Sequence, residues 1–294
     1  MNSSPVFLKA IPRSGGTLFV TMLDVHPEIA MSYEIYEDRL YSDTGAPLLV
    51  DDIIILLEET RQSARDDVQW IKRLSENNLR VFLFRARRGG LAVTEIMDEL
   101  KSLAKNNVSF DTSTGRLDFI DALMKRKMHK EGKNYWGGKT QADLYELHKR
   151  HPDACFFIMV RDIRDVFASM CNTGSFAFTA EEAAALWKKR ILDFREFVSR
   201  CKPKGMEICY QELVSKPETV LSKACQLIGL EYNSDMLSYH KKNLTLFQNP
   251  HGHLSSEQLK EGLNTQSVGR WKKDLEDRDL DSIMAIAGEL VDGR

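Results

Sequence analysis

Residues 155–160, Cys-Phe-Phe-Ile-Met-Val, are six consecutive apolar positions with no polar residue among them. A strand with one wet face alternates in polarity. A strand with none must be covered on both sides, as in a parallel sheet with helices above and below. Val6–Ile11, Tyr135–Gly138 and Gly205–Tyr210 read as further strands, and the short Ala30–Ser32 as another. Helical stretches follow them at 17–23, 142–150, 164–171 and 181–200. Ser215-Lys216-Pro217-Glu218 reads as a capping box with proline in the first helical position, opening a helix through Ile228. This alternation predicts an α/β fold of three αβα layers around a central parallel sheet, in one domain spanning 1–294. Such sheets bind ligands at the carboxyl ends of their strands.

Residues 40–130 break the rhythm. Segments 52–74, 91–103 and 119–129 carry apolar residues at helical spacing, predicting a mainly helical insertion. Within it, Val81-Phe82-Leu83-Phe84 reads as a strand, and the basic stretch 85–90 as a loop or a solvated face.

Lys and Arg number 41 against 43 Asp and Glu, a formal net charge of −2. That balance excludes a bulk nucleic-acid binder, so any anion site must be a local cluster. The five cysteines include no C-x-x-C pair, and they read as reduced thiols with no zinc site. No run approaches the ~18 apolar residues of a membrane span. The first strand begins too early for a signal peptide, so a cytoplasmic location is expected.

Two segments carry chemistry. Pro12-Arg13-Ser14-Gly15-Gly16-Thr17 joins the first strand to the first helix. Glycines there let the backbone approach an anion, and the first helical N–H groups have no intrahelical partner. This P-loop-like turn suits phosphate, although an ordinary tight turn with a surface arginine fits the same residues. It is not the ATP-binding G-x-x-x-x-G-K-[ST] loop. Gly138-Lys139-Thr140 has Lys133 where that pattern needs glycine, which weakens a nucleotide-kinase reading. The second segment is Arg161-Asp162-Ile163-Arg164-Asp165, with Ser169 two turns further on. It suits a second phosphate or a structural Arg–Asp pair.

Together these segments resemble the sulfotransferases that use 3′-phosphoadenosine 5′-phosphosulfate (PAPS). Trp136-Gly137-Gly138-Lys139-Thr140, Tyr210-Gln211-Glu212-Leu213 and Ser267-Val268-Gly269-Arg270-Trp271 continue the likeness in order along the chain. The arginine in the loop and Leu23-Asp24-x-His26-Pro27-Glu28 resemble the bacterial and tyrosylprotein branch. The resemblance implies that Arg13, Ser14, Gly15, Gly16, Thr17 and Leu18 hold the 5′-phosphosulfate, and that Arg161 and Ser169 hold the 3′-phosphate. It places Tyr210 near the adenine and closes Gly269, Arg270 and Trp271 over the 3′-phosphate. Gly16 and Ile163 depart from the family's Thr and Pro, which predicts weaker or differently seated donor binding.

The implied reaction is in-line sulfuryl transfer without a metal. Arg13 and Lys139 supply the cations, and Glu34 is the general base. Glu28, Glu37 and Asp38 compete with Glu34, and His251 or His253 is the reserve base. The 249–253 cluster also reads as a plain polar loop. The expected acceptor is a small-molecule or carbohydrate hydroxyl, with peptide tyrosine second and an amine open. Acceptor choice is expected to come from the 40–130 insertion and the 240–265 loop.

Overall fold

The computed structural model describes residues 4–62, 64–174, 176–249, 251 and 253–292. Pro250 and Gly252 of the histidine-containing loop lie outside them. Five strands, β1 (Val6–Ala10), β2 (Ile29–Ser32), β3 (Tyr135–Thr140), β4 (Cys155–Val160) and β5 (Lys204–Cys209), form one parallel sheet in the order β2-β3-β1-β4-β5. Leu8 of β1 sits between Lys139 of β3 and Phe157 of β4. The sheet therefore centres on the two most apolar strands.

Strand alternation divides the interior into two layers. Val6, Leu8 and Ala10 of β1, with Cys155, Phe157 and Met159 of β4, pack under α1 (Gly16–Val25), α10 (Tyr210–Ser215) and α11 (Pro217–Ile228). Phe7, Phe156, Ile158 and Val160 face the opposite way. They pack against α8 (Ile163–Thr173) and α9 (Ala180–Cys201), with α7 (Leu144–Arg150) beside them. Four short or terminal helices follow: α12 (Thr245–Gln248), α13 (Ser256–Lys260), α14 (Trp271–Asp274) and α15 (Asp277–Asp292), the last lying on α9.

The insertion is five helices: α2 (Val50–Arg61), α3 (Asp67–Lys72), α4 (Asn77–Arg88), α5 (Val93–Lys105) and α6 (Ser113–Lys130). Their apolar faces, among them Ile53, Leu57, Trp70, Phe82 and Phe119, join the layer under Phe7 and Phe156.

Two sequence expectations need correction. The segment 81–84 is not a strand and 85–90 is not a loop, because both fall largely on α4. Leu79, Phe82, Leu83 and Ala86 are buried at helical spacing, and this outweighs the four apolar residues in a row. The Asp43 carboxylate caps the helix by accepting from the N–H groups of Asn77 and Asn78 at 2.8 and 3.0 Å. Ser215 forms no capping box, since it ends α10 and its hydroxyl donates to the Gln211 carbonyl. Pro217 does occupy the first turn of α11. All five cysteines are free thiols, and no described helix is long and apolar enough to cross a membrane.

Candidate functional site

The turn after β1 is shaped by two left-handed residues, Arg13 at φ 65° and Gly15 at φ 93°. Gly15 also abuts the Tyr210 ring so closely that a Cβ there would lie 2.3 Å from Cδ2. Only glycine satisfies both demands. No side chain caps α1 and no acidic residue sits in its first turn. Its leading N–H groups and the positive end of its dipole are therefore open to an anion. A Cβ on Gly16 would stand 2.7 Å from the Ala10 Cβ, which explains why this chain departs from the family's Thr. Ser14 turns inward, where its hydroxyl donates to the Ile11 carbonyl at 2.6 Å.

β4 ends at Val160 and delivers Arg161 beside this turn. Arg161 is 4% exposed, and its guanidinium lies 4.5 Å from the centre of the Tyr210 ring. Its Nη1 donates to the Arg13 carbonyl at 2.9 Å and its Nη2 to the Ser267 carbonyl. The buried Trp187 of α9 donates its indole N–H to the Arg161 carbonyl at 3.0 Å and so fixes the strand end. Arg13 Nε donates to the Ser169 hydroxyl at 3.0 Å, and its Nη1 to the Ser255 hydroxyl at 2.9 Å. Burial, then the neighbouring charges of Arg161 and Arg270, push the Arg13 pKa down. The buried Arg161 and the half-buried Arg13 face each other with no carboxylate between them, and Arg161 Nε has no hydrogen-bond partner. Such a cluster calls for a multiply charged anion.

On the other side of the turn, Lys139 at the end of β3 donates to Glu34 Oε1 at 2.7 Å. Glu34 follows β2 in a left-handed conformation, φ 47°. Its second oxygen lies 3.5 Å from Arg88 Nη1 and 4.0 Å from Arg85 Nε, both on α4. Burial alone would raise the Glu34 pKa. Lys139 and Arg85 outweigh it and hold the carboxyl well below the usual range. Burial alone would lower the Lys139 pKa, and Glu34 outweighs it in turn, holding the ammonium above its ordinary value. Gly138-Lys139-Thr140 lies within a strand and not in a phosphate-wrapping loop, so the kinase-type arrangement is absent at this position.

His253 lies beside Glu34. Burial, together with Arg88, Lys139 and Arg13, outweighs Glu34 and pushes its pKa down to about 4. Its Nδ1 accepts from the Ser255 N–H at 3.3 Å. That bond places the proton of the neutral ring on Nε2, which makes this edge a donor. His251 is exposed and stacks on Phe84, with ring centres 4.1 Å apart. Among the described residues no three His, Cys, Asp or Glu side chains form a metal-binding group.

One cavity of about 930 Å³ gathers Arg13, Gly15, Gly16, Thr17, Leu18, Glu34, Lys139, Arg161, Ser169 and Tyr210. Gly269, Arg270 and Trp271 do not line it. The Asp165 carboxylate accepts from the Gly269 and Trp271 N–H groups at 2.9 and 3.3 Å and holds the segment on α8. Arg270 pairs with Asp274, and the Trp271 ring lies under the Arg164 guanidinium. The cavity also includes residues that the sequence reading missed, Arg85 and Arg88 and Ser255 against Arg13, while Ser267, the first residue of the C-terminal segment, meets Arg161 through its carbonyl. The helical spacing of Leu79, Phe82, Leu83 and Ala86 was the available signal for the two arginines. Nothing local marks Ser255.

Comparison with known proteins agrees with this geometry. The sulfotransferase family pattern matches residues 5–234. A Caenorhabditis briggsae chain, named provisionally as a protein-tyrosine sulfotransferase, is 19% identical over 271 residues, covering 90% of this chain and 80% of its own. The sulfotransferase domain of the Synechococcus PCC 7002 olefin synthase superposes with TM-score 0.57 at 16% identity, covering 97% of this chain and 94% of its own. The sulfotransferase domain of the curacin biosynthetic pathway superposes with TM-score 0.57 at 14% identity, covering 96% of each chain. At those identities the superpositions speak to the fold, and the match over residues 5–234 settles the lineage: the chain belongs to the sulfotransferase family.

Proposed function

We propose that this protein transfers the sulfuryl group of PAPS to an acceptor hydroxyl. The observation that carries the reading is the pairing of buried Arg161 with half-buried Arg13, neither ion-paired to a carboxylate among the described residues, beside an uncapped helix start. A donor with phosphate groups at two ends fits this arrangement. The α1 amides, Thr17 and Arg13 would hold its 5′ end. Arg161 and Ser169 would hold its 3′-phosphate, and the open side of Tyr210 would meet the base.

Bound there, the donor supplies an electrophilic sulfur with a phosphate leaving group. The chain's own residues do the rest. Arg13 and Lys139 neutralise charge that builds on the leaving oxygen. Glu34 accepts the acceptor's proton. In the free protein Glu34 is a weak base, because Lys139 and Arg85 stabilise its anion. When Lys139 turns toward the donor, that restraint weakens and the carboxylate becomes more basic at the moment it is needed. His253, a neutral donor through Nε2, orients the acceptor oxygen and does not take its proton.

Calorimetric titration with 3′-phosphoadenosine 5′-phosphate, against ATP with Mg²⁺, tests the reading. Tight binding of the bisphosphate, lost in Arg161→Ala and weakened in Arg13→Ala, is expected, together with labelled-sulfate transfer from PAPS. Preference for ATP with Mg²⁺ would overturn it.

A further inference from the structure

We infer that the acceptor is a small hydroxylated molecule that carries an anionic group of its own, seated on the arginine stripe of α4. The inference rests on the sulfuryl-transfer reading and extends it to the acceptor half of the cavity.

Nine cationic side chains line the cavity against two carboxylates, Glu34 and Asp38. The donor accounts for three of them, Arg13, Lys139 and Arg161. A chain with net charge −2 has therefore concentrated positive charge in the part of the cavity that the donor does not use. Glu34 and Asp38 answer only part of that charge, and a neutral acceptor would leave the excess unbalanced.

The extra cations are organised by one helix. Asn77, Arg80, Val81, Phe84, Arg85 and Arg88 recur every three or four residues and form a single face of α4 turned to the cavity. Arg88 is 4% exposed, and its Nε has no hydrogen-bond partner. Arg85 Nε is in the same state. Arg80 hydrogen-bonds to the Leu74 carbonyl and the Asn77 side-chain oxygen, and the Asp43 carboxylate acts on it through space without a direct ion pair. The exposed Lys72 of α3 adds a cation to the same cavity wall.

The order along the stripe sets the shape of the acceptor. Arg88 stands at Glu34, where the hydroxyl must react. Phe84, with His251 stacked on it, offers an apolar surface in the middle. Arg80 lies eight residues from Arg88, ~12 Å along the helix axis. A hydroxyl, a ring or short apolar body, and a carboxylate, phosphate or sulfate fit in that order.

The test uses matched pairs on protein saturated with 3′-phosphoadenosine 5′-phosphate: 4-hydroxyphenylacetate against its neutral amide, and galacturonate against galactose. At least one acid is expected to bind about 10-fold or more tighter than its neutral partner. The acid should also accept labelled sulfate from PAPS faster. Arg80→Gln should cut the preference to within about 3-fold and leave bisphosphate affinity unchanged. Because Arg80 also holds the Leu74 carbonyl, Lys72→Gln provides a second variant that disturbs no packing, and it should lower the preference in the same direction. Equal binding within both pairs, no binding of either acid, or a preference that survives both variants overturns the inference. Faster turnover of an acidic tyrosine peptide than of every small acid overturns the small-molecule assignment. If the bisphosphate itself does not bind, the donor reading has failed, and the acid preference is then measured on the free protein.

Discussion

Glu34→Gln preserves the shape of a side chain that balances three cations and removes its charge. At 2.7 Å and an effective dielectric of ~20, the Lys139–Glu34 attraction is ~6 kcal/mol gross. Desolvation of the two groups offsets most of that, and the amide oxygen still accepts from Lys139. The net loss is then about 2–3 kcal/mol, because Arg85 and Arg88 remain without a counter-charge. At roughly 2–4 °C per kcal/mol, Tm falls by about 4–12 °C. Turnover falls by ~10²–10⁴-fold through loss of the base. Affinity for 3′-phosphoadenosine 5′-phosphate moves the other way, up about 10-fold or ~1.4 kcal/mol, because Lys139 no longer has to leave a carboxylate. Thermal unfolding, calorimetry and a labelled-sulfate assay read the three effects separately. Undiminished turnover removes Glu34 as the base. Unchanged or weaker bisphosphate binding refutes the argument that the donor draws Lys139 away from it.

Three further expectations follow from the same geometry. Gly15→Ala places a methyl against the Tyr210 ring at φ 93°, so bisphosphate affinity should drop by at least about 10-fold with a clear loss of Tm, and native values for both would contradict the turn geometry. Gly16→Thr should destabilise the protein through contact with Ala10, and Ala10→Gly should recover part of the loss; strict additivity of the two would show that no such contact exists. The third concerns pH. A carboxyl held below its ordinary value keeps its base form above that value and loses it only as pH falls through the depressed one. Glu34 and His253, the latter at about 4, are thus both deprotonated above pH ~5 in the free protein. With a carboxylate acceptor, kcat/KM should show no acid limb from either group between pH ~5 and ~8. An acid limb near pH ~6.5 that vanishes in His253→Gln would make the histidine the base.

The sheet was legible because β4 is buried along its whole length, where a continuous apolar run fits, and β1 departs from that pattern only at Lys9, whose ammonium donates to the Gln141 and Ala142 carbonyls. The glycine turn was legible for a related reason, since a backbone near φ 90° next to an aromatic ring leaves little choice of residue. α4 was misread because Val81–Phe84 satisfies a strand pattern over four residues and a helical one only over eight, from Leu79 to Ala86. Its arginines looked solvated because charge in a sequence says nothing about which side a helix turns. Ser215 carried the right residue type for a cap, but the preceding helix had already claimed it. Ser14 is similar, a hydroxyl beside a phosphate turn that folds back onto its own loop. The contact of Arg13 with Ser255 spans 242 residues and has no local signature, whereas Ser267, 106 residues from Arg161, belongs to the recognised C-terminal segment.

Those two long contacts bear on how the protein is made. Synthesis runs from the N-terminus, so Arg13 and the glycine turn emerge early, and Ser255 and Ser267 follow only after the sheet is complete. Until then the two arginines have lost part of their surroundings, and the pocket around them lacks one wall. A chain ending before Ser255 contains all five strands but lacks the Ser255 hydroxyl that meets Arg13 and the Ser267 carbonyl that meets Arg161. Ligand binding stabilises only the species that binds it. On the proposed function, bound nucleotide would therefore stabilise a chain carrying both contacts and not one lacking them.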